Sequence, residues 1–170
     1  LRTCGSVSTL SPSLSHSLPL CPKTSHVSGY LGRYEHQLDE KGRVSLPSAF
    51  RKEAEGAPFV LLQWEGAYLT LFPQGVWEEV QGRLLDFRKS KRDAWNRVRE
   101  ILANATEVSP DKQGRILVPA TLKEAAGLEG TVILNGNIDR IEIWDPQRWA
   151  EDVATSSSDD LEDFGHRIFG

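Results

Sequence analysis

Residues 39–50, DEKGRVSLPSAF, and residues 111–122, DKQGRILVPATL, are two versions of one phrase. Each carries Asp, two residues, Gly-Arg, three apolar or small residues, and then Pro. Their starts, Asp39 and Asp111, stand 72 positions apart. The later parts repeat as well: FPQGVW at 72–77 matches WDPQRW at 144–149. A unit of roughly 45 residues buries little core by itself. Two such units in one chain can pair about a pseudo-twofold axis, as the halves of a homodimer do. The duplication therefore predicts one fused, β-rich body, not two separate beads.

Periodicity fills in the unit. YEHQLD alternates Tyr34, His36 and Leu38 against Glu35, Gln37 and Asp39, the period of a half-buried strand. EKG turns the chain and RVSL returns it. Pro47 suits the first turn of a short helix ending at Gly56. FVLLQW and AYLTLF read as strands joined at EGA. In the second copy Pro119 opens the helix ATLKEAAG, and TVILNG and RIEIW flank the turn NGNID, whose Asn-Gly pair favours a hairpin. Between the copies, Leu84, Phe87, Ala94, Val98, Ile101 and Leu102 mark one face of a helix over 84–102. Its other face is basic, with Arg88, Lys89, Lys91, Arg92, Arg97 and Arg99. The expected organisation is a first repeat at 33–75, a helical linker at 76–103, a second repeat at 104–147 and a tail at 148–170. In the acidic, Ser-rich part of that tail, Phe164, Ile168 and Phe169 are candidates to dock on a partner subunit.

Residues 1–26 do not share this pattern. They are rich in Ser, Pro and Thr and hold no acidic residue. Disorder, targeting and an upstream-shifted start of translation are the readings open for them. Both cysteines, Cys4 and Cys21, lie in this leader, so no thiol or four-ligand metal chemistry is expected in the repeats. No apolar run reaches the length of a membrane helix. The net charge of −4 excludes a uniformly basic protein but not a local basic patch.

The repeated turn is the candidate site. Asp39 can accept N–H groups two residues on, and Gly42 supplies the positive φ of a tight turn. Lys41 and Arg43 then project from an exposed loop, as do Lys112 and Arg115 beside Asp111 and Gly114. One reading is a solvated turn, with Arg115 ion-paired to Asp111 or to a neighbouring subunit. The other gives the Arg side chains to phosphate or guanine, which their planar fork suits. Lys41, Arg43, Arg51 and Lys52 cluster in the first copy; Gln113 stands where Lys41 has its counterpart. The four His residues, 16, 26, 36 and 166, pair with no nucleophile at motif spacing, and no phosphate-binding loop occurs. No enzyme activity, metal, cofactor or small-molecule substrate is expected.

GYLGRYEHQLDEKGRVSLPSAFR, LTLFPQGVW, DKQGRILVPATLKEAAGL and IEIWDPQRW together resemble the bacterial MraZ family, over about residues 29–150. The paired D-x-x-G-R motifs, each with Pro four residues after the Arg, are far more specific than one turn. The resemblance implies two SpoVT-AbrB-type domains in an α+β, β-rich fold, built as swapped-hairpin repeats into a barrel-like body. It implies a sequence-specific regulator that binds double-stranded promoter DNA at short direct repeats, usually as a repressor. The promoter is that of its own division and cell-wall gene cluster. A homo-oligomeric ring in the cytoplasm, on the nucleoid, goes with it. Carried over by position, Asp39, Gly42, Asp111 and Gly114 form the turns. Lys41 and Arg43 lead as DNA contacts, with Arg115 and Arg33 behind them. The leader and Gln113 depart from the family pattern. The rivals are an antitoxin-like module and an interaction ring that binds no DNA.

Overall fold

The computed structural model describes residues 29–54, 56–90, 95–155 and 167. The leader at 1–26, with Cys4 and Cys21, lies outside the described residues, as do Lys91 and Arg92 of the basic helix face and the tail positions Phe164, Ile168 and Phe169.

The first copy runs β1 (Tyr30–Gln37), β2 (Arg43–Ser45), α1 (Ser48–Glu53), β3 (Phe59–Leu62) and β4 (Leu69–Pro73). Then α2 (Gln74–Ser90) and α3 (Trp95–Ala103) connect the copies. The second copy repeats the order as β5 (Thr106–Val108), β6 (Arg115–Leu117), α4 (Ala120–Ala125), β7 (Thr131–Ile138) and β8 (Arg140–Trp144), and α5 (Pro146–Thr155) follows.

The copies are interleaved. A six-stranded antiparallel sheet has the order β1-β7-β8-β4-β3-β5, so each copy's first strand lies on the other copy's hairpin. A second, two-stranded sheet pairs β2 with β6. Its middle pair is Val44 and Ile116; the middle pair of β4 and β8 is Thr70 and Glu142. Both pairs are 72 positions apart, so each residue faces its own repeat. That places the pseudo-twofold axis through the centres of both ladders. The repeat slips once: Phe72 faces Val60, whereas its counterpart Trp144 faces Ile133, a separation of 73 from Val60. One extra residue therefore enters before β7 and is given back in the hairpin.

The two tandem repeats and the mixed α+β, sheet-rich body agree with expectation, but no barrel closes. Among the described residues, β1 and β5 each pair on one side only, and the β2–β6 ribbon forms a layer of its own. The physical reason is strand length. The three-residue ribbon strands are too short to continue the sheet; among the described residues the ribbon meets it at one bridge, Leu38 with Val44, and otherwise lies over its face. Val44 and Ile116 point down from the ribbon and are fully buried with Phe50, Leu71, Leu134 and Ile141. Each such side chain contributes about 1.5–3 kcal/mol of burial. Tyr34 and Tyr30 meet Phe50 edge-on at 5.2 and 5.6 Å.

The opposite face of the sheet differs between the halves. In the first half, Val60, Leu62, Phe72 and Trp77 pack against Trp64, Val80, Ile101 and Leu102, so α2 and α3 cover it. In the second half the positions of Leu62 and Trp64 fall to Asn135 and Asn137. Their amides donate to Glu142 at 3.2 and 2.8 Å, and Trp144 Nε1 donates to it at 3.0 Å.

Other details depart from expectation. The helical stretch between the copies begins at Gln74 and is described as α2 and α3, with residues 91–94 between them outside the described residues. Pro47 and Pro119 stand at the N-caps, with ψ of 144° and 145°, one position before the helices. Asn135-Gly136 is not the hairpin turn; both lie within β7, and the chain reverses at Ile138, whose φ is 57°. Gly136 is instead a crossing point: a Cβ there would meet the Tyr30 carbonyl carbon at 2.5 Å. The region set down as tail opens with α5, which continues to Thr155.

Candidate nucleic-acid interface

The two turns sit beside the twofold axis, one entering β2 and the other entering β6. Each is a closed hydrogen-bonded knot. Asp39 Oδ1 accepts from the Lys41 and Arg43 backbone N–H groups, both at 2.9 Å. Asp39 Oδ2 accepts from Arg43 Nε at 2.7 Å, and Nη2 stands at the same distance. The Gly42 N–H donates to the Asp39 carbonyl at 2.8 Å, with Gly42 at φ 77°. The second turn copies this. Asp111 Oδ1 accepts from Gln113 and Arg115 N–H at 2.8 and 3.0 Å, and Oδ2 accepts from Arg115 Nε and Nη2 at 2.9 and 2.7 Å. Gly114 takes φ 76°.

The motif spacing thus has a mechanical cause. One Asp must reach two N–H groups and the guanidinium of the fifth residue, and only Gly fits the left-handed position between them. The side-chain hydrogen bond from Arg43 holds the Asp39 carboxyl below its usual range. The matching bond from Arg115 takes Asp111 down to about 2.

The glycine carbonyls join the copies. Val118 N–H donates to the Gly42 carbonyl at 2.8 Å, and Leu46 N–H donates to the Gly114 carbonyl at 2.9 Å. These bonds extend the β2–β6 ladder at both ends and fix each turn to the other copy. Arg43 and Arg115 lie two positions apart along this ribbon, so their Cα atoms are separated by roughly 8 Å. The face opposite Val44 and Ile116 carries Arg43, Ser45, Arg115 and the exposed Leu117.

The structure brings together Lys41, Arg43, Arg115 and the four turn-forming residues Asp39, Gly42, Asp111 and Gly114. Arg43 and Arg115 are half-buried, holding Asp through Nε and Nη2; Nη1 takes no part in either pair. Lys41 and Lys112 are exposed and bear no carboxylate pair among the described residues. Arg33 is not part of this cluster. Tyr30 and Tyr34 of β1 face the ribbon side, so by strand alternation Arg33 faces the other side, 3.5 Å from Glu35 Oε1. Arg51 also departs from expectation. It leaves the first turn and lies across the second: its Nη1 donates to the Gln113 carbonyl at 3.2 Å. No sequence signal links positions 51 and 113, because the contact crosses between the copies.

The profile of the family described as "MraZ protein, putative antitoxin-like" matches this chain twice, at residues 30–98 and 101–169. The chain belongs to the MraZ family. A Leuconostoc mesenteroides relative is 38% identical over 130 residues, which cover 76% of this chain and 90% of the relative. One from Thermoanaerobacter sp. strain X514 is 41% identical over 121 residues, 71% of this chain and 84% of the relative. One from Moorella thermoacetica is 35% identical over 139 residues, 82% and 96% of the two chains. Each is named transcriptional regulator MraZ, so transcription regulation is the broad function that MraZ membership carries. That is not an enzyme class. Among the described residues no group of His, Cys, Asp or Glu is arranged to hold a metal, and no helix is long and apolar enough to cross a membrane. A solution structure, PHS018 from Pyrococcus horikoshii, overlaps 67% of this chain and 87% of its own at TM-score 0.30 and 13% identity, too loose a likeness to bear on the fold.

Proposed function

We propose that this chain is a DNA-binding repressor that acts on double-stranded promoter DNA of its own division and cell-wall gene cluster. It reads short direct repeats as a homo-oligomeric ring, in the cytoplasm on the nucleoid. The observation that carries this reading is the doubled turn. Two rigid Asp–Arg knots flank one short ribbon, and both present cations in a protein of net charge −4. Lys41 and Lys112 supply point charges for phosphates. Arg43 and Arg115, already oriented by Asp, keep Nη1 for a phosphate or a guanine edge. Preorganised donors lose little entropy on binding. A ring would repeat the edge, and linked weak contacts to repeated DNA boxes gain by avidity.

A second reading, a ring that binds protein and not DNA, rests on an apolar groove of about 550 Å³ between α2, α3 and the sheet, lined by Trp64, Phe72, Leu84 and Ile101 among others. The test is fluorescence anisotropy with duplex DNA from upstream of the gene and with a scrambled duplex of equal length. Preferential binding to the first supports the regulator reading. Equal, weak binding to both by well-assembled protein would leave the groove as the working surface.

A further inference from the structure

The two turns are not electrically equivalent, and the difference is made up from the other copy. In the first turn the third residue is Lys41; its counterpart in the second is Gln113. Arg51, on α1 of the first copy, occupies the space that the second turn leaves open. Its Nη1 bonds the Gln113 carbonyl at 3.2 Å, and the guanidinium lies where a Gly114 Cβ would stand. The residue 72 positions after Arg51 is Lys123, but the atoms nearest a Cβ at Gly42 belong to Val118 and Leu117, and none to Lys123. The twofold is thus broken at this point: only the second turn lies against a guanidinium from the opposite copy.

Arg51 and Lys112 line a shallow hollow of about 300 Å³ together with Ala54, Gly56, Pro110, Asp111 and Gly114. Among the described lining residues Asp111 is the one carboxylate, and it is committed to Arg115 at 2.7 Å. Arg51 has no carboxylate pair among the described residues. Two cations over a backbone-lined floor, with Asp111 already matched by Arg115, suit a singly charged tetrahedral anion.

We propose that this hollow is a composite phosphate site, in which Arg51 of the first copy and Lys112 of the second hold one DNA backbone phosphate. It rests on the DNA-binding reading and assigns to Arg51 the place that Lys41 fills at the first turn. The two ends of the ribbon then grip the duplex by different means, one with its own lysine and one with a borrowed arginine.

The experiment compares wild type with Arg51→Gln, which removes the charge yet keeps an N–H group for the Gln113 carbonyl. Gln113→Lys is then added to Arg51→Gln. Affinity for the upstream duplex and for a scrambled duplex is measured across a salt series, with urea unfolding alongside. One lost phosphate contact makes the slope of log K against log salt shallower by about 1 and weakens both duplexes by a similar factor, roughly tenfold at about 0.1 M salt. Gln113→Lys should restore the slope. An unchanged slope in Arg51→Gln, while wild type binds with strong salt dependence, overturns the composite site alone. A lowered unfolding midpoint with no rescue by Gln113→Lys makes Arg51 a structural strut and also overturns it. Wild type that binds neither duplex overturns the DNA reading together with this site.

Discussion

Gly42 and Gly114 hold equivalent places in equivalent turns, yet alanine should cost more at the first than at the second. Both residues sit in the left-handed region, at φ 77° and 76°. An L side chain there costs roughly 1–2 kcal/mol at either site. The surroundings then separate them. At Gly42 the new Cβ lies 2.8 Å from the Val118 carbonyl oxygen, a backbone atom anchored beside the ribbon. Relief requires the ribbon end to shift, and it strains the 2.8 Å bond from Val118 N–H to the Gly42 carbonyl. Losing one such bond adds about 0.5–1.5 kcal/mol. At Gly114 the Cβ meets Arg51 Nη1 and Cδ, the movable end of a long side chain that can swing into solvent. Gly42→Ala should therefore cost about 2–3 kcal/mol and Gly114→Ala about 1–2 kcal/mol. Urea unfolding reads the difference as a midpoint gap of roughly 0.5 M. Protein concentration must be matched, because assembly adds to apparent stability. Equal midpoints, or a lower one for Gly114→Ala, would refute the reasoning about what stands over each glycine.

Three further outcomes follow from the geometry. Ile116→Ala, at the fully buried centre of the ribbon, should cost roughly 2–5 kcal/mol, whereas Leu117→Ala on the exposed face should stay within about 0.5 kcal/mol; thermal or urea melts compare them. Arg115 lowers the Asp111 carboxyl from 3.8 to about 2, and a depressed carboxyl stabilises the fold above its unfolded pKa. That contribution should fade as pH falls from about 4 to about 2, and Asp111→Asn should flatten that part of the stability profile. Lys41→Ala should leave the unfolding midpoint unchanged while weakening DNA binding, because only the Lys41 backbone N–H, at 2.9 Å from Asp39, serves the turn.

The duplication was legible because repetition leaves the same residues at a fixed spacing. Asp39 and Gly42 declared the turn, since few other residues close it. Period-two alternation marked Tyr34 and Leu38, and the repeat itself implied the twofold. What stayed hidden depends on contacts between distant positions. Alternation does not say which face of β1 looks at the ribbon, so the sequence alone does not show that Arg33, the weaker DNA-contact candidate beside the first strand, stands apart from the turns. Sequence neighbourhood put Arg51 with Lys41, although the interleaving carries it to Gln113. The Asn135-Gly136 pair looked like a hairpin tip because the approach of Tyr30 that requires Gly136 comes from the other copy. The open form of the body was hidden for a related reason: the two ribbon strands pair along their length with each other, and among the described residues β2 meets the sheet edge at the single bridge of Val44 with Leu38.

The central claim is that the paired turns form a cationic edge for DNA. It is tested most directly by the salt dependence of binding to duplex from upstream of the gene, for wild type and for Lys41→Ala with Lys112→Ala. Steep dependence in wild type is expected, with a slope shallower by about 2 in the double variant at unchanged unfolding midpoint and assembly. Binding that ignores salt, or a slope the double variant leaves untouched, would contradict it.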